Sequence, residues 1–248
     1  MAGVTFISPA AQDALQNWLT FEQSLNSASE NTLTAYRIDV LGFMTFMTTY
    51  RGEPQGLSPL KDISIRDMRA WMASERTRGV ASRSLARSLS AVKSFYRWLA
   101  QKEGVEPSAV LVARSPKCQK KRPRPLAKDA AVDVIETLKL QAREDWIAAR
   151  DGAVATLLYG CGLRISEALG LTGASLPIPD VLRITGKGGK ERIVPVLPAA
   201  QKAVAQYVRL CPYPMEEDLP IFRGVRGGAL NPRIIQKAME SVRMHLGL

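Results

Sequence analysis

The sequence has 248 residues, 46% of them hydrophobic, which is enough for one large domain or two small domains with buried cores. Its three cysteines are widely spaced and it has one histidine, so a zinc site is excluded and no metal or cofactor is predicted. It has no secretory signal and no run of the ~20 apolar residues that a membrane-spanning helix needs, which predicts a cytoplasmic protein without a membrane partner. The formal net charge is +11, and residues 76–128 hold 14 Lys and Arg against two acids.

Four amphipathic helices are predicted in the first hundred residues, because apolar side chains recur there at helical spacing. The apolar positions of the first two are Leu15, Trp18, Leu19 and Leu25, followed by Leu33, Tyr36, Val40, Phe43, Met44 and Met47. The third helix is expected to open at Ser64, with Asp67 three residues on as its capping-box partner. The fourth is expected to run from Ser82 to Ala100.

The fourth predicted helix has two contrasting faces. At about 100° per residue, one side is apolar and the other carries cations and hydroxyls, namely Arg83, Arg87, Ser90, Ser94 and Arg97, with Lys93 at its border. No acid occurs between Glu75 and Glu103, whereas a solvated face normally mixes both signs. We therefore predict that this face binds DNA, through phosphates or base edges, which the sequence alone does not separate.

Residues 114–128 form a basic, proline-rich segment with seven cations, three prolines and no acid. Proline at this density breaks helices and keeps the chain extended. We interpret the segment as a linker that follows the phosphate backbone, between an N-terminal domain at 1–113 and a second domain at 129–248. A localisation signal and a merely solvated segment are the alternatives. The linker cations predicted to bind DNA are Lys117, Lys120, Lys121, Arg122 and Arg124.

The second domain is predicted to be mostly helical with a small antiparallel sheet. Its helices are expected at 130–142, 146–159, 164–169, 198–210 and 232–246, and its strands at 181–185 and 192–196. The fold class of the whole chain is therefore mostly α.

Two motifs in the second domain place cations where they can grip a phosphate. In LLYGCGLRISEALGL, glycines on either side of Cys161 permit a sharp turn, after which Arg164 begins a helix. In ITGKGGKERIVPV, Lys187 and Lys190 lie in a glycine-rich turn and Arg192 on the strand that follows. The spacing of a Walker A loop is missing. Each motif alone is weak, and the two in this order are much more specific.

GLRISEALGL followed by ITGKGGKERIVPV resembles the tyrosine recombinase (phage integrase) family, which includes phage integrases and the Xer enzymes. The segments SENTLTAYRIDVLGFMTFM and SRSLARSLSAVKSFYRWLA are similar to the helical, SAM-like core-binding domain of Xer-type members. The resemblance extends from about Leu15 to Leu248. It implies a core-binding domain followed by a catalytic domain.

The resemblance also implies roles for individual residues. Arg164 matches the catalytic arginine that clamps the scissile phosphate, and Lys187 matches the general acid that protonates the leaving 5′ oxygen. Glu167 matches an acid that supports the arginine's helix. Lys190 and Arg192 are expected to contact the DNA backbone or to hold the hairpin.

The later family motifs, H-x-x-R and the nucleophilic tyrosine, have no counterpart in these 248 residues. His245, Tyr159, Tyr207 and Tyr213 all lie too early in the sequence to match them. We therefore expect a catalytic domain that is incomplete at its C-terminal side and a chain that does not cleave DNA by itself.

The function that the resemblance implies is cutting and rejoining of double-stranded DNA through a 3′-phosphotyrosine intermediate, without a metal or nucleotide cofactor. The enzyme would act as a homo- or hetero-tetramer with another recombinase, in the nucleoid of a bacterium, as in Xer-type chromosome dimer resolution. Two alternatives stay open at this point: an integrase of a mobile element, and a truncated DNA-binding protein that does not cut.

Overall fold

The computed structural model describes residues 7–52, 56–104, 106–117, 126–186 and 189–248. The chain divides into two compact units, Met1–Arg122 and Pro123–Leu248. The division falls within the predicted linker, of which residues 118–125 lie outside the described ranges. Among the described residues, no helix is both long enough and apolar enough to cross a membrane.

The first unit is built from helices alone in its described part. In chain order they are α1 (Pro9–Ser24), α2 (Glu30–Arg51), α3 (Leu57–Lys61), α4 (Ile65–Thr77), α5 (Ser82–Glu103) and α6 (Ser108–Val112). The four predicted helices correspond to α1, α2, α4 and α5. The five-residue helices α3 and α6 were not predicted.

Local side-chain chemistry fixes where α4 begins. The Ser64 hydroxyl accepts a hydrogen bond of 3.2 Å from the Asp67 amide, and Oδ2 of Asp67 accepts one of 2.9 Å from the Ser64 amide. This reciprocal pair is the predicted capping box, which satisfies two amides that a helix start leaves without partners. At the other end of a helix, Gly52 and Gly104 terminate α2 and α5 in the left-handed region, with φ of 78° and 64°.

Aromatic side chains fill the core of the first unit. Trp18 and Phe95 meet edge to face at 5.6 Å between ring centroids, and Phe43 meets Trp71 in the same way at 5.0 Å. The apolar face predicted for α5 is buried as expected, and its members are Leu85, Leu89, Val92, Phe95, Tyr96 and Leu99. The prediction for Leu25 was wrong. Leu25 follows the last residue of α1, Ser24, and its side chain is 72% exposed.

The second unit combines helices with one two-stranded antiparallel sheet, so the predicted fold class is confirmed. Its elements are α7 (Lys128–Gln141), α8 (Asp145–Gly160), α9 (Ile165–Leu169), β1 (Val181–Thr185), β2 (Glu191–Pro195), α10 (Pro198–Leu210) and α11 (Pro232–His245). Leu182 and Ile184 of β1 and Val194 of β2 are buried, whereas Ile193 points outward and is 71% exposed. This alternation orients the strands on the unit's core.

Helix α8 lies at the centre of this unit, and residues 149–155 along it are all buried. Arg150 is 1% exposed, donates to Asp151 at 2.8 Å and donates to the Arg223 carbonyl at 3.0 Å. The Tyr207 hydroxyl of α10 donates to the Ile221 carbonyl and accepts from the Arg223 amide. These bonds fasten the segment before α11 to α8 and α10.

Candidate functional site

A glycine directs the chain from α8 to Arg164. Gly162 has φ of 64°, a left-handed conformation that costs an L-residue roughly 1–2 kcal/mol. Leu163 then returns into the core at 4% exposure, and Arg164 follows as the residue that precedes α9. The Arg164 side chain is 68% exposed. The turn predicted from the glycines therefore presents a guanidinium at the surface.

Glu167 lies beneath that guanidinium, with a side chain that is only 7% exposed. Its Oε1 accepts hydrogen bonds from Nη1 of Arg164 at 2.7 Å and from Nη1 of Arg192 at 2.8 Å. Its Oε2 accepts from the Arg164 amide and from Nη2 of Arg192, both at 2.7 Å. The carboxylate thus closes the first turn of α9 and binds two arginines at once, one of them through two parallel bonds.

This arrangement holds Glu167 in its ionised form. The hydrogen bonds from Arg192 lower its pKa most, those from Arg164 add to the effect, and together they outweigh burial, so that the pKa falls to about 2. At neutral pH, two guanidinium groups therefore share one carboxylate. The cluster formed by Arg164, Glu167 and Arg192 keeps one net positive charge at the surface.

The hairpin between β1 and β2 begins beside this cluster. Ile184 pairs with Arg192 across the two strands, and the Gly186 amide donates to the Lys190 carbonyl at 2.7 Å. A methyl group built on Gly186 would lie 3.8 Å from Nη1 of Arg164 and 3.9 Å from Nη1 of Arg192. Lys190 is exposed. Lys187, the predicted general acid, lies outside the described residues, as does Gly188.

The tyrosines of the second unit differ in their surroundings. Tyr207 is fully buried, and burial raises the pKa of its phenol. The Tyr213 hydroxyl donates to the Val225 carbonyl at 2.6 Å. Tyr159, in the last turn of α8, is 40% exposed. Of the three, Tyr159 alone has a ring that is substantially open to solvent.

The polar face of α5 in the first unit is only partly free. Arg83, Ser90 and Arg97 are exposed. Arg87 is half exposed and donates to Asp39 at 3.1 Å. Lys93 donates to the Leu111 carbonyl at 2.8 Å and Ser94 to Glu22 at 2.6 Å. Ser90 is exposed but donates to the Ala86 carbonyl at 2.9 Å. Four of the six residues predicted to bind DNA therefore already have partners within the unit, whereas Arg83 and Arg97 are exposed without a hydrogen-bond partner among the described residues.

The two acids that accept from Arg87 and Ser94 were not predicted from the sequence. Glu22 of α1 is 6% exposed and accepts from Trp18, Asn26 and Ser94. Asp39 of α2 is 8% exposed, and its Oδ1 accepts from both Arg87 and Ser88. A weak signal was available, because Asp39 follows Tyr36 at helical spacing and so borders the apolar face of α2.

The linker is described only at its edges. Lys117 is exposed, and the cations Lys120, Lys121, Arg122 and Arg124 lie outside the described residues. Their predicted contacts with DNA stay predictions.

Comparison with known families agrees with both units. The SAM-like N-terminal domain of phage integrases matches residues 15–103, and the phage integrase family matches residues 126–248. The chain belongs to the tyrosine recombinase (phage integrase) family.

Within that family, the chain is similar to the tyrosine recombinase XerC of several bacteria. It is 44% identical to the protein of Brucella suis biovar 1 over 248 residues, which cover 98% of this chain and 79% of the relative. It is 43% identical to that of Mesorhizobium japonicum, over 98% of this chain and 80% of the relative.

Solved structures share the fold at low sequence identity. A lambda integrase dimer bound to a COC′ core site has a TM-score of 0.67 at 16% identity, over 96% of this chain and 78% of that one. The XerH recombinase bound to a palindromic difH substrate has a TM-score of 0.65 at 19% identity, over 94% of this chain and 67% of that one.

Proposed function

We propose that this chain acts in site-specific recombination of double-stranded DNA, as a Xer-type tyrosine recombinase in the cytoplasm of a bacterium. The observation that carries the proposal is the exposed Arg164 guanidinium, held on the buried Glu167 beside the base of the hairpin. The 44% identity to the XerC of Brucella suis biovar 1 supports the Xer assignment. As in the tetramer that lambda integrase forms on a Holliday junction, several protomers would act together, either identical or paired with a second recombinase.

Arg164 would bind the non-bridging oxygens of the scissile phosphate. Its charge stabilises the extra negative charge of the pentacovalent transition state in a site that is already oriented, which is the main contribution asked of the protein. Lys187 would give its proton to the 5′ oxygen as the phosphorus–oxygen bond breaks. A lysine suits this step better than an arginine, since a guanidinium does not readily release a proton.

A tyrosine would supply the nucleophile. Its hydroxyl oxygen would form a bond to the scissile phosphorus, which stays on the 3′ side, while the bond from phosphorus to the 5′ oxygen breaks and the 5′ hydroxyl leaves. We assign this role to none of the tyrosines of the second unit. Tyr207 is buried with its hydroxyl in two backbone hydrogen bonds, and Tyr213 donates to a carbonyl. Tyr159 precedes Arg164 in the sequence, whereas the family's nucleophile follows the H-x-x-R motif. The 248-residue chain is therefore expected to bind DNA without cutting it.

The exposed cations of α5, together with the cations of the linker, would provide most of the affinity for the duplex. Arg83 and Arg97 are exposed and free to meet phosphates, and Lys117, near the start of the linker, is exposed as well. Affinity that depends on phosphate contacts falls steeply with salt, because each contact releases condensed counterions.

The test combines binding with a trap for covalent intermediates. The 248-residue chain is titrated with a 30-base-pair duplex from about 50 to 200 mM salt, and is then incubated with a nicked duplex and analysed on a denaturing gel. We expect affinity to fall by orders of magnitude over this salt range and no adduct to form. An affinity that does not change with salt concentration would contradict the proposed interface. A covalent adduct would show that the nucleophile is misassigned.

A further inference from the structure

Arg192 holds the shared carboxylate more completely than Arg164 does. It donates two side-chain bonds to Glu167, one to each oxygen, whereas Arg164 donates one side-chain bond, to Oε1. The remaining bond from Arg164 comes from its backbone amide. Among the described residues, Nε and Nη2 of Arg164 have no hydrogen-bond partner, and its side chain is 68% exposed against 36% for Arg192.

Competition for one carboxylate decides how much charge Arg164 can offer. A single guanidinium on a carboxylate forms a neutral, bidentate pair whose donors are turned inward. With Arg192 occupying both oxygens, Glu167 compensates the charge of Arg192 first, and Arg164 keeps most of its fork and its charge for an outside anion.

We propose that Arg192 is a positioning residue that prevents Glu167 from neutralising Arg164, and so keeps Arg164 available to a phosphate. This inference rests on the proposed function of Arg164 and deepens it. It differs from the two roles that the sequence left open for Arg192, because Arg192 acts through Glu167 and touches no DNA. If Arg192 contacted the DNA backbone directly, the losses of binding free energy on removing Arg192 and Arg164 would add. If Arg192 acts through Glu167, the two losses are not additive.

The position of Gly186 indicates that Arg192 also affects the start of the hairpin turn beside the cluster. A methyl group added at Gly186 would lie 3.8 Å from Nη1 of Arg164 and 3.9 Å from Nη1 of Arg192, and Gly186 precedes the proposed general acid in the sequence. The guanidinium of Arg192 thus binds Glu167 and lies close to the start of the hairpin turn. Its removal leaves Arg164 free to move toward Glu167 and away from an incoming phosphate.

The experiment uses inorganic phosphate as the probe and the 248-residue chain as the protein. Resonances of the arginine Nε–H groups are assigned and followed while phosphate is added. In the unsubstituted chain, the Arg164 signal should move and saturate. In Arg192→Met, the phosphate dissociation constant seen at Arg164 should rise about tenfold, the loss expected for a weakened charge-assisted hydrogen bond. Arg192→Lys, which keeps the charge, should lie between the two.

The double variant Glu167→Gln/Arg192→Met distinguishes competition of the two arginines for Glu167 from a general disturbance of the site. Without the carboxylate there is nothing for Arg192 to compete for, so this variant should bind phosphate at Arg164 as tightly as Glu167→Gln alone. Thermal unfolding of each variant shows whether it is folded, and if Arg192→Met fails to fold, Arg192→Gln takes its place. An unchanged phosphate affinity in a folded Arg192 variant, or no recovery in the double variant, overturns the inference. No response of Arg164 in the unsubstituted chain would instead contradict the proposed function.

Discussion

Nη2 of Arg87 lies 3.1 Å from Oδ1 of Asp39, so the polar face of α5 is tied to a carboxylate buried beneath it. Ser88 donates to the same oxygen at 2.8 Å, and Oδ2 is buried without a hydrogen-bond partner. One oxygen of the carboxylate is therefore desolvated without a hydrogen bond to replace its water, which is costly. The pair orients Arg87 at the expense of stability.

The first prediction is that stability depends on the ionisation of Asp39. Burial raises its pKa above the ordinary 3.8, and the bonds from Ser88 and Arg87 do not fully offset this. Since the folded form binds the proton more tightly than the unfolded form, the free energy of unfolding should fall as the pH rises through the raised pKa. Asp39→Asn should remove this part of the pH profile. Urea midpoints between about pH 3 and pH 7 measure it, and parallel profiles for the two proteins would contradict the prediction.

The second prediction concerns Glu167, for which the dependence of stability on pH has the opposite sign. Its pKa is lowered to about 2 in the folded protein from an ordinary 4.5. Its contribution to stability is therefore fully present above about pH 4.5 and is lost as the pH falls toward 2. Glu167→Gln should be less stable than the parent at pH 6, and the difference should shrink in acid. The control is Glu136→Gln, since Glu136 pairs with Lys139 on an exposed surface and should change stability little at any pH.

The third prediction is that Tyr207→Phe destabilises the second unit by about 1–3 kcal/mol, the cost of leaving buried polar groups unsatisfied. Loss of the hydroxyl removes the partner of the Arg223 amide and of the Ile221 carbonyl. Tyr159→Phe is the matched control, because that ring is 40% exposed and its substitution should stay within about 0.5 kcal/mol. Equal losses for the two variants, measured by urea unfolding, would contradict the structural role of the Tyr207 hydroxyl.

The fourth prediction distinguishes phosphate contact from base reading on α5. Arg83→Ala and Arg97→Ala should each lower the slope of log K against log salt by about 0.9, and should weaken binding to all duplex sequences alike. Arg66→Ala is the control, since Arg66 is an exposed arginine of the same unit outside the basic stretch. Loss restricted to one duplex sequence would show direct base reading instead.

The fifth prediction is that Gly162→Ala destabilises the second unit by roughly 1–2 kcal/mol, because φ of 64° strains a residue with a Cβ atom. No neighbouring atom would crowd the added methyl group within 4 Å. The backbone conformation alone is thus under test. A loss well below this range would mean that the turn before Arg164 relaxes into another conformation.

The helices could be predicted because their apolar positions repeat over several turns, as in α2 and α5. Leu25 shows the limit of this reasoning, since the period continues one residue beyond the point at which α1 ends. The bonds of Glu22 and Asp39 could not be predicted. They depend on how α1 and α2 pack on α5, with partners 72 and 48 residues away. The motifs indicated Arg164 as the candidate catalytic arginine, but the sharing of Glu167 by Arg164 and Arg192 emerges only once β2 is placed beside α9.

Glu167 performs two tasks with one carboxylate, since it closes the first turn of α9 and orients the arginine that precedes it. A substitution of Glu167 therefore affects both tasks at once. A descendant that abandoned strand exchange would still gain stability from Glu167, and the acid would persist after its proposed role toward Arg164 had disappeared. Arg192 would be under less constraint in such a lineage. The presence of Glu167 in a distant homologue is therefore a poor sign of activity, and the pair of Arg164 with Arg192 is a better one.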